Sequence, residues 1–193
     1  MAHLTRHDLY SLEQYAEIRP AFRARVIEHK KQRRVPLGDH AALYFEDTLT
    51  MQYQVQEMLR IERIFEAAGI QEELDVYNPL IPDGSNWKAT FMLEYASEAE
   101  RRLALAQLVG IEERIWVQVA GHARVHALAN EDLPRSTAEK TASVHFLRFD
   151  LNEAVAAAAK GGAAITAGIS HPRYKATTVL PEAVRQSLAG DLA

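Results

Sequence analysis

The segment EKTASVHFLRFDL, residues 139–151, decides how this chain is read. In an extended strand His145, Leu147, Phe149 and Leu151 point to one face, and Val144, Phe146 and Arg148 to the other. Both faces are largely apolar, as in an inner strand covered on two sides. That leaves one polar group in each covering layer. A buried arginine cannot shed its charge and needs an anionic or carbonyl partner. His145 and Arg148 are therefore either polar pins of the core or two walls of a ligand pocket.

Working outward, WKATFMLEY (87–95) is a second strand, with Trp87, Ala89, Phe91, Leu93 and Tyr95 on one face. HAALYFE (40–46) alternates in the same way, with Ala41, Leu43 and Phe45 opposite His40, Tyr44 and Glu46. IWVQVAGHARVHAL (115–128) reads as a hairpin about Gly121-His122. AAITAGI (163–169) is a buried strand, SHPRY (170–174) a loop and KATTVL a last strand. Between them lie helical patterns. SLEQ (11–14) is a capping box for a short helix that Pro20 should stop, with a second helix over 20–34. Thr48 or Thr50 can cap a helix over 50–67, ending at Gly69, before a shorter one near 71–77. SEAE (97–100) opens a helix over 98–109, Asn152 caps an alanine-rich one, and Pro181 begins the last. This order predicts an α+β single domain over 1–193. Its mixed or mainly antiparallel sheet carries packed helices, with a helical N-terminal segment, 1–34, against it.

The 193 residues contain no cysteine, which excludes disulfides and any cysteine-ligated cluster. No apolar run approaches the length of a spanning helix, and the N-terminus lacks the apolar core of a secretory signal, so a cytoplasmic protein with no membrane contact is expected. The net charge of −4 is uneven. Residues 19–34 carry Arg19, Arg23, Arg25, Lys30, Lys31, Arg33 and Arg34 against Glu28 alone. A basic patch on an otherwise acidic chain suits an acidic partner docked through Arg23, Lys30 and Arg34. Nucleic acid is disfavoured, because no aromatic platform accompanies those charges.

The candidate pocket residues are Glu46, Glu57, Glu62, His145, Arg148 and His171. On a helical wheel Glu62 falls among Met51, Val55, Met58 and Phe65, where an unpaired carboxylate would be costly. It could pair with Arg148, bind a metal, act as a base of raised pKa, or reach water where the helix end frays. His145, Glu62 and Glu57 form a candidate donor set for a divalent iron, zinc or manganese ion. His171, with Arg173 and Tyr174, makes SHPRY a donor-rich binding loop or a proline-fixed surface turn. No phosphate-binding loop or nucleophile elbow is present, so enzymatic activity stays open.

FEDTLTMQYQVQEMLRIERI (45–64), IQEELDVYNPLIP (70–82), EKTASVHFLRFDL (139–151) and HPRY followed by LPEAVRQSLAGDL together resemble an uncharacterised bacterial family, domain of unknown function family 3501. The resemblance spans nearly the whole chain and carries no assigned activity. Glu46, Gln56, Glu57, Arg60, Glu62, His145 and Arg148 lie in the matching blocks. Members of the family are often encoded beside rubrerythrin-like and iron–sulfur oxidoreductase-like proteins. The resemblance thus implies an accessory or ligand-binding protein linked to a redox or peroxide-response system. The alternative is a metal-dependent enzyme or metal-binding protein with a His/carboxylate site.

Overall fold

The computed structural model describes residues 3–193. Its centre is the predicted pair of long strands, β3 (Asn86–Leu93) and β7 (Val144–Asp150). They pair antiparallel with Trp87 opposite Phe149, Ala89 opposite Leu147 and Phe91 opposite His145. All six of those side chains are buried, and Trp87, Phe91, Phe149 and His145 are wholly so. Burying each large apolar side chain contributes about 1.5–3 kcal/mol, which holds the register against a one-residue slip. β1 (Arg34–Pro36) and β2 (Ala41–Phe45) extend the sheet on one side and β6 (Leu128–Ala129) on the other, in the order β1-β2-β3-β7-β6.

The α+β class and the antiparallel pairing hold, and the strands divide between two sheets. β4 (Ile115–Val119), β5 (Val125–His126), β8 (Ile165–His171) and β9 (Tyr174–Val179) form the second, in the order β5-β4-β8-β9. Ile115, Val117, Val119, Ile165, Ala167 and Ile169 share one core with the inner face of the first sheet. The expected 115–128 hairpin therefore feeds both layers: β5 pairs with β4, and two residues later β6 pairs with β7. The far edges are tied as well, by the Thr178 hydroxyl donating to the Pro36 carbonyl and the Tyr174 hydroxyl to that of Leu37. SHPRY, expected to be a loop, is a tight turn whose ends, His171 and Tyr174, are paired strand residues.

The helices depart from expectation at their boundaries. α1 (Leu12–Lys31) begins at the Ser11–Gln14 capping box and runs straight through Pro20. Pro20 and Ala16 are exposed, so the Ala16 carbonyl that loses its helical partner can bond water instead. α2 (Thr48–Glu62) is capped by Asp47, which accepts from the Thr50 N–H at 2.9 Å, while the Thr50 hydroxyl accepts from the Asp47 N–H at 2.9 Å. It stops at Arg63, whose φ of 56° is left-handed. Gly69 does not end it but lies in the first turn of α3 (Ala67–Tyr77). Met51, Val55, Leu59 and Leu74 bind α2 to α3. Tyr15, Phe22 and Val26 seat α1 beside Leu49 and Tyr53 of α2. α4 (Glu98–Gln107), α5 (Glu153–Lys160) and α6 (Glu182–Ala189) complete the set, and α5 and α6 add Val155, Ala159, Val184 and Leu188 to the two-sheet core.

Candidate functional site

The residues singled out from the sequence do not converge; each has a separate set of partners. His145 faces inward from β7, as expected, but into a closed network. The Asn130 side-chain amide donates to Nδ1 at 2.9 Å, and Nε2–H points to the Ala142 carbonyl at 3.0 Å and Thr141 Oγ1 at 2.9 Å. The Thr141 hydroxyl donates to the buried Glu112 carboxylate at 3.2 Å, and Ser136 donates to the same group. Burial pushes the His145 pKa below its ordinary value, opposed by Glu112 at 3.9 Å. These bonds pin the irregular segment after β6 onto the core. They are the first half of the answer to the opening strand: His145 is a pin.

Arg148 is the second pin, with a different partner from the one expected. It is a quarter exposed on the outer sheet face and forms a fork with Glu131, at 2.7 and 2.8 Å, and a further ion pair with Asp150. Glu62 is not its partner. Glu62 stands exposed at the last turn of α2, where the chain turns away from the helix. Ile61 and Phe65 beside it are 62% and 73% exposed. Glu57 instead fastens α1 to α2. It accepts from the Tyr15 hydroxyl at 2.7 Å and from both Nε and Nη2 of Arg19, at 2.7 and 2.8 Å. Arg19 above all holds its pKa down, to about 2. His171 is buried beneath the β8–β9 turn, where its Nε2–H donates to the Val109 carbonyl at 3.2 Å and Nδ1 accepts from the Arg173 N–H. Among the described residues no three His, Cys, Asp or Glu side chains are grouped so as to hold a metal ion, and the set His145, Glu62 and Glu57 is dispersed.

A fourth polar cluster was not anticipated. Arg33, read as one of a run of surface cations, is 2% exposed. It donates to the Phe45 and Glu46 carbonyls at 2.9 and 3.0 Å, to Ser187 at 2.9 Å and to Asp191 at 2.5 Å. Asp47 is 3.4 Å from the same guanidinium and 2.5 Å from His29 Nε2. Burial pushes Asp191 up to about 6, against the pull of Arg33 and with the repulsion of Asp47. A signal was present in the sequence: Arg33 shares strand parity with Val35 and Leu37, both fully buried.

One of several open grooves, of about 440 Å³, lies on the outer face of the five-stranded sheet, within the usual range for a small-molecule site. β3 and β7 supply its floor through Thr90, Met92, Val144 and Phe146, which alternate with the core-facing residues of the same strands. Met51 and Gln54 of α2, with Tyr77 and Leu80, wall it in. Two expected residues line it, Glu46 just beyond β2 and Lys30 near the end of α1. Thr90 donates to Glu46 at 2.6 Å. At the rim Tyr44 donates to Glu94 at 2.5 Å and Arg34 bonds both, at 2.9 and 3.1 Å. Of the predicted docking cations, Arg34 is thus engaged at the groove mouth, Lys30 lines the groove, and Arg23 is exposed on α1.

Fold and groove together describe an α+β protein of two facing antiparallel sheets, with a half-apolar cleft where a helical layer meets the outer strands. The chain belongs to the family of proteins of unknown function DUF3501, whose model matches residues 3–192. It is also similar to a novel protein of unknown function from Burkholderia pseudomallei K96243, solved by crystallography, with 53% identity, full coverage of both chains and a TM-score of 0.95. No curated protein matches the chain. No helix among the described residues is long and apolar enough to cross a membrane.

Proposed function

We propose that this protein is a non-catalytic accessory protein that binds a small molecule in the outer-sheet groove. The observation that carries this reading is the groove itself: an apolar floor ringed by a few polar groups, Glu46, Thr90, Gln54 and Lys30. Outward-facing positions of a solvated strand face are usually polar. Met92, Val144 and Phe146 are apolar at those positions and half-buried, which suits a strand face that receives a ligand body. The system it serves is carried over from the family resemblance: a rubrerythrin-like or iron–sulfur redox enzyme with an acidic surface, met by Arg23 and Lys30 of α1. The test is to denature natively purified protein and identify released small molecules by mass spectrometry, beside a Val144→Trp variant that fills the floor. A compound released from the wild type and missing from the folded variant supports the reading; the same compounds at equal yield from both would sink it. For the docking, charge reversal at Arg23 and Lys30 should abolish co-purification with the redox enzyme, and unchanged capture would refute that part.

A further inference from the structure

The chemistry of the groove narrows what it takes. Glu46 is 6% exposed, and its backbone is fully used, the N–H donating to the Lys88 carbonyl at 2.9 Å and the carbonyl accepting from Arg33. Its side chain is not. Oε1 receives the Thr90 hydroxyl, and no donor among the described residues bonds Oε2. No Lys, Arg or His among the described residues is ion-paired with this carboxylate, although Lys30 lines the same groove. No inaccessible side-chain oxygen or nitrogen among the described residues lacks a partner, so Oε2 meets water through the groove, where the charged donor of a ligand can take that water's place. The other carboxylate of the groove, Glu94, already has Tyr44 and Arg34. Glu46 is therefore the open anion of the site. The same groove is lined by Tyr77, by Tyr44 and Phe146, which already have Arg34 and Arg135 over their rings, and by the thioethers of Met51 and Met92. The methionines accept an apolar body of variable shape.

We infer that the groove takes a primary amine with an apolar body, its ammonium donating to Glu46 Oε2 and its body lying over Met51, Met92 and Phe146. This rests on the groove being a ligand site, and it adds the ligand's charge and polarity. A carboxylate of the same shape would bring its charge beside Glu46 and be rejected by like-charge repulsion and desolvation.

The test uses three probes with one body: 2-phenylethylamine, 2-phenylethanol and 3-phenylpropanoate. Each is titrated into full-length protein with isotope-labelled methionine methyl groups, following Met51 and Met92 by NMR. The amine should bind about 10-fold tighter than the alcohol, as a charge-assisted hydrogen bond implies, and the acid weakest. In Glu46→Gln, whose amide oxygen can still accept from Thr90, amine and alcohol should come within about 2-fold of each other. Equal binding of the three probes, no response of either methyl to any of them, or an amine preference that survives Glu46→Gln would each overturn the inference. Because the released-ligand comparison with Val144→Trp does not depend on charge, a groove that binds a neutral or anionic compound there would leave the ligand-binding reading standing while this one falls.

Discussion

Replacing Asp191 by asparagine should remove most of a pH dependence built into the α6–β2 contact. Asp191 is buried beside Arg33, with Asp47 close enough to compete for the same guanidinium. Burial raises its pKa from 3.8 to about 6. A raised carboxyl value means that the folded protein holds this proton more tightly than the unfolded chain. The stabilisation is fully present below 3.8 and is lost as the pH rises through about 6. Going from about pH 7.5 down to about pH 4.5, this one group should stabilise the folded wild type by roughly 2 kcal/mol. His145, held below its ordinary value by burial, pulls the opposite way, and the lowered Asp47 and Glu57 enter mainly at the acid end. The His145 and Glu57 contributions are common to both proteins and cancel in the difference, and Asp47, which shares Arg33 with Asp191, is held below 3.8 and stays largely ionised between those pH limits. The assay is urea unfolding at several pH values, followed by tryptophan fluorescence. Trp87 is a suitable reporter, since its indole N–H donates to the Leu188 carbonyl at 2.9 Å and so senses α6 directly. Wild type should gain about 2 kcal/mol on Asp191→Asn between those pH limits. Parallel stability profiles for the two proteins would refute the argument, because they would mean that Asp191 is as acidic in the fold as in the open chain.

His145→Ala should destabilise the protein by about 2–4 kcal/mol by thermal or urea unfolding, since it leaves Asn130 and Thr141 short of a partner and opens a cavity beside Phe91. Elemental analysis of wild type beside this variant should show no stoichiometric metal that depends on His145. Glu62→Ala should change stability by no more than about 0.5 kcal/mol, as expected of an exposed side chain at a helix end. Glu57→Ala should cost about 1–3 kcal/mol, because the wholly buried Tyr15 loses its acceptor. Glu57 has a depressed pKa, so its contribution is present above 4.5 and fades as the pH falls through about 2; acid titrations of wild type and variant should converge there.

The strands were largely legible because a period of two is short and each position reports on its own face. WKATFML and VHFLRFD place Trp87, Ala89, Phe91, His145, Leu147 and Phe149 in the core, and that is where they lie. What alternation could not reveal is which strands share a sheet. β4 and β8 are as apolar as β3 and β7, and only the pairing partners separate them. The helical wheel misplaced Glu62 because it presumes a neighbour along the whole helix, whereas α2 ends at that residue. Pro20 misled because a helix tolerates it where the freed carbonyl meets water. The polar partners were hidden for another reason. Glu112 lies in a short turn 33 residues before His145, and Asp191 lies 158 residues from Arg33, so neither pair leaves a periodic trace. Glu46, singled out because its strand face is less apolar than the opposite one, lines the groove.

The span between Arg33 and Asp191 also bears on how the protein is made. During synthesis Arg33 leaves the ribosome 158 residues ahead of its carboxylate. At roughly 5–20 residues per second that is an interval of about 10–30 s in which the β2–α2 corner holds a guanidinium with part of its complement missing. The N-terminal helices can pack on one another in that time, but the corner closes only after α6 has emerged. A nascent chain stalled before α6 should therefore be protease-sensitive at residues 31–47 and protected there once Asp191 is added.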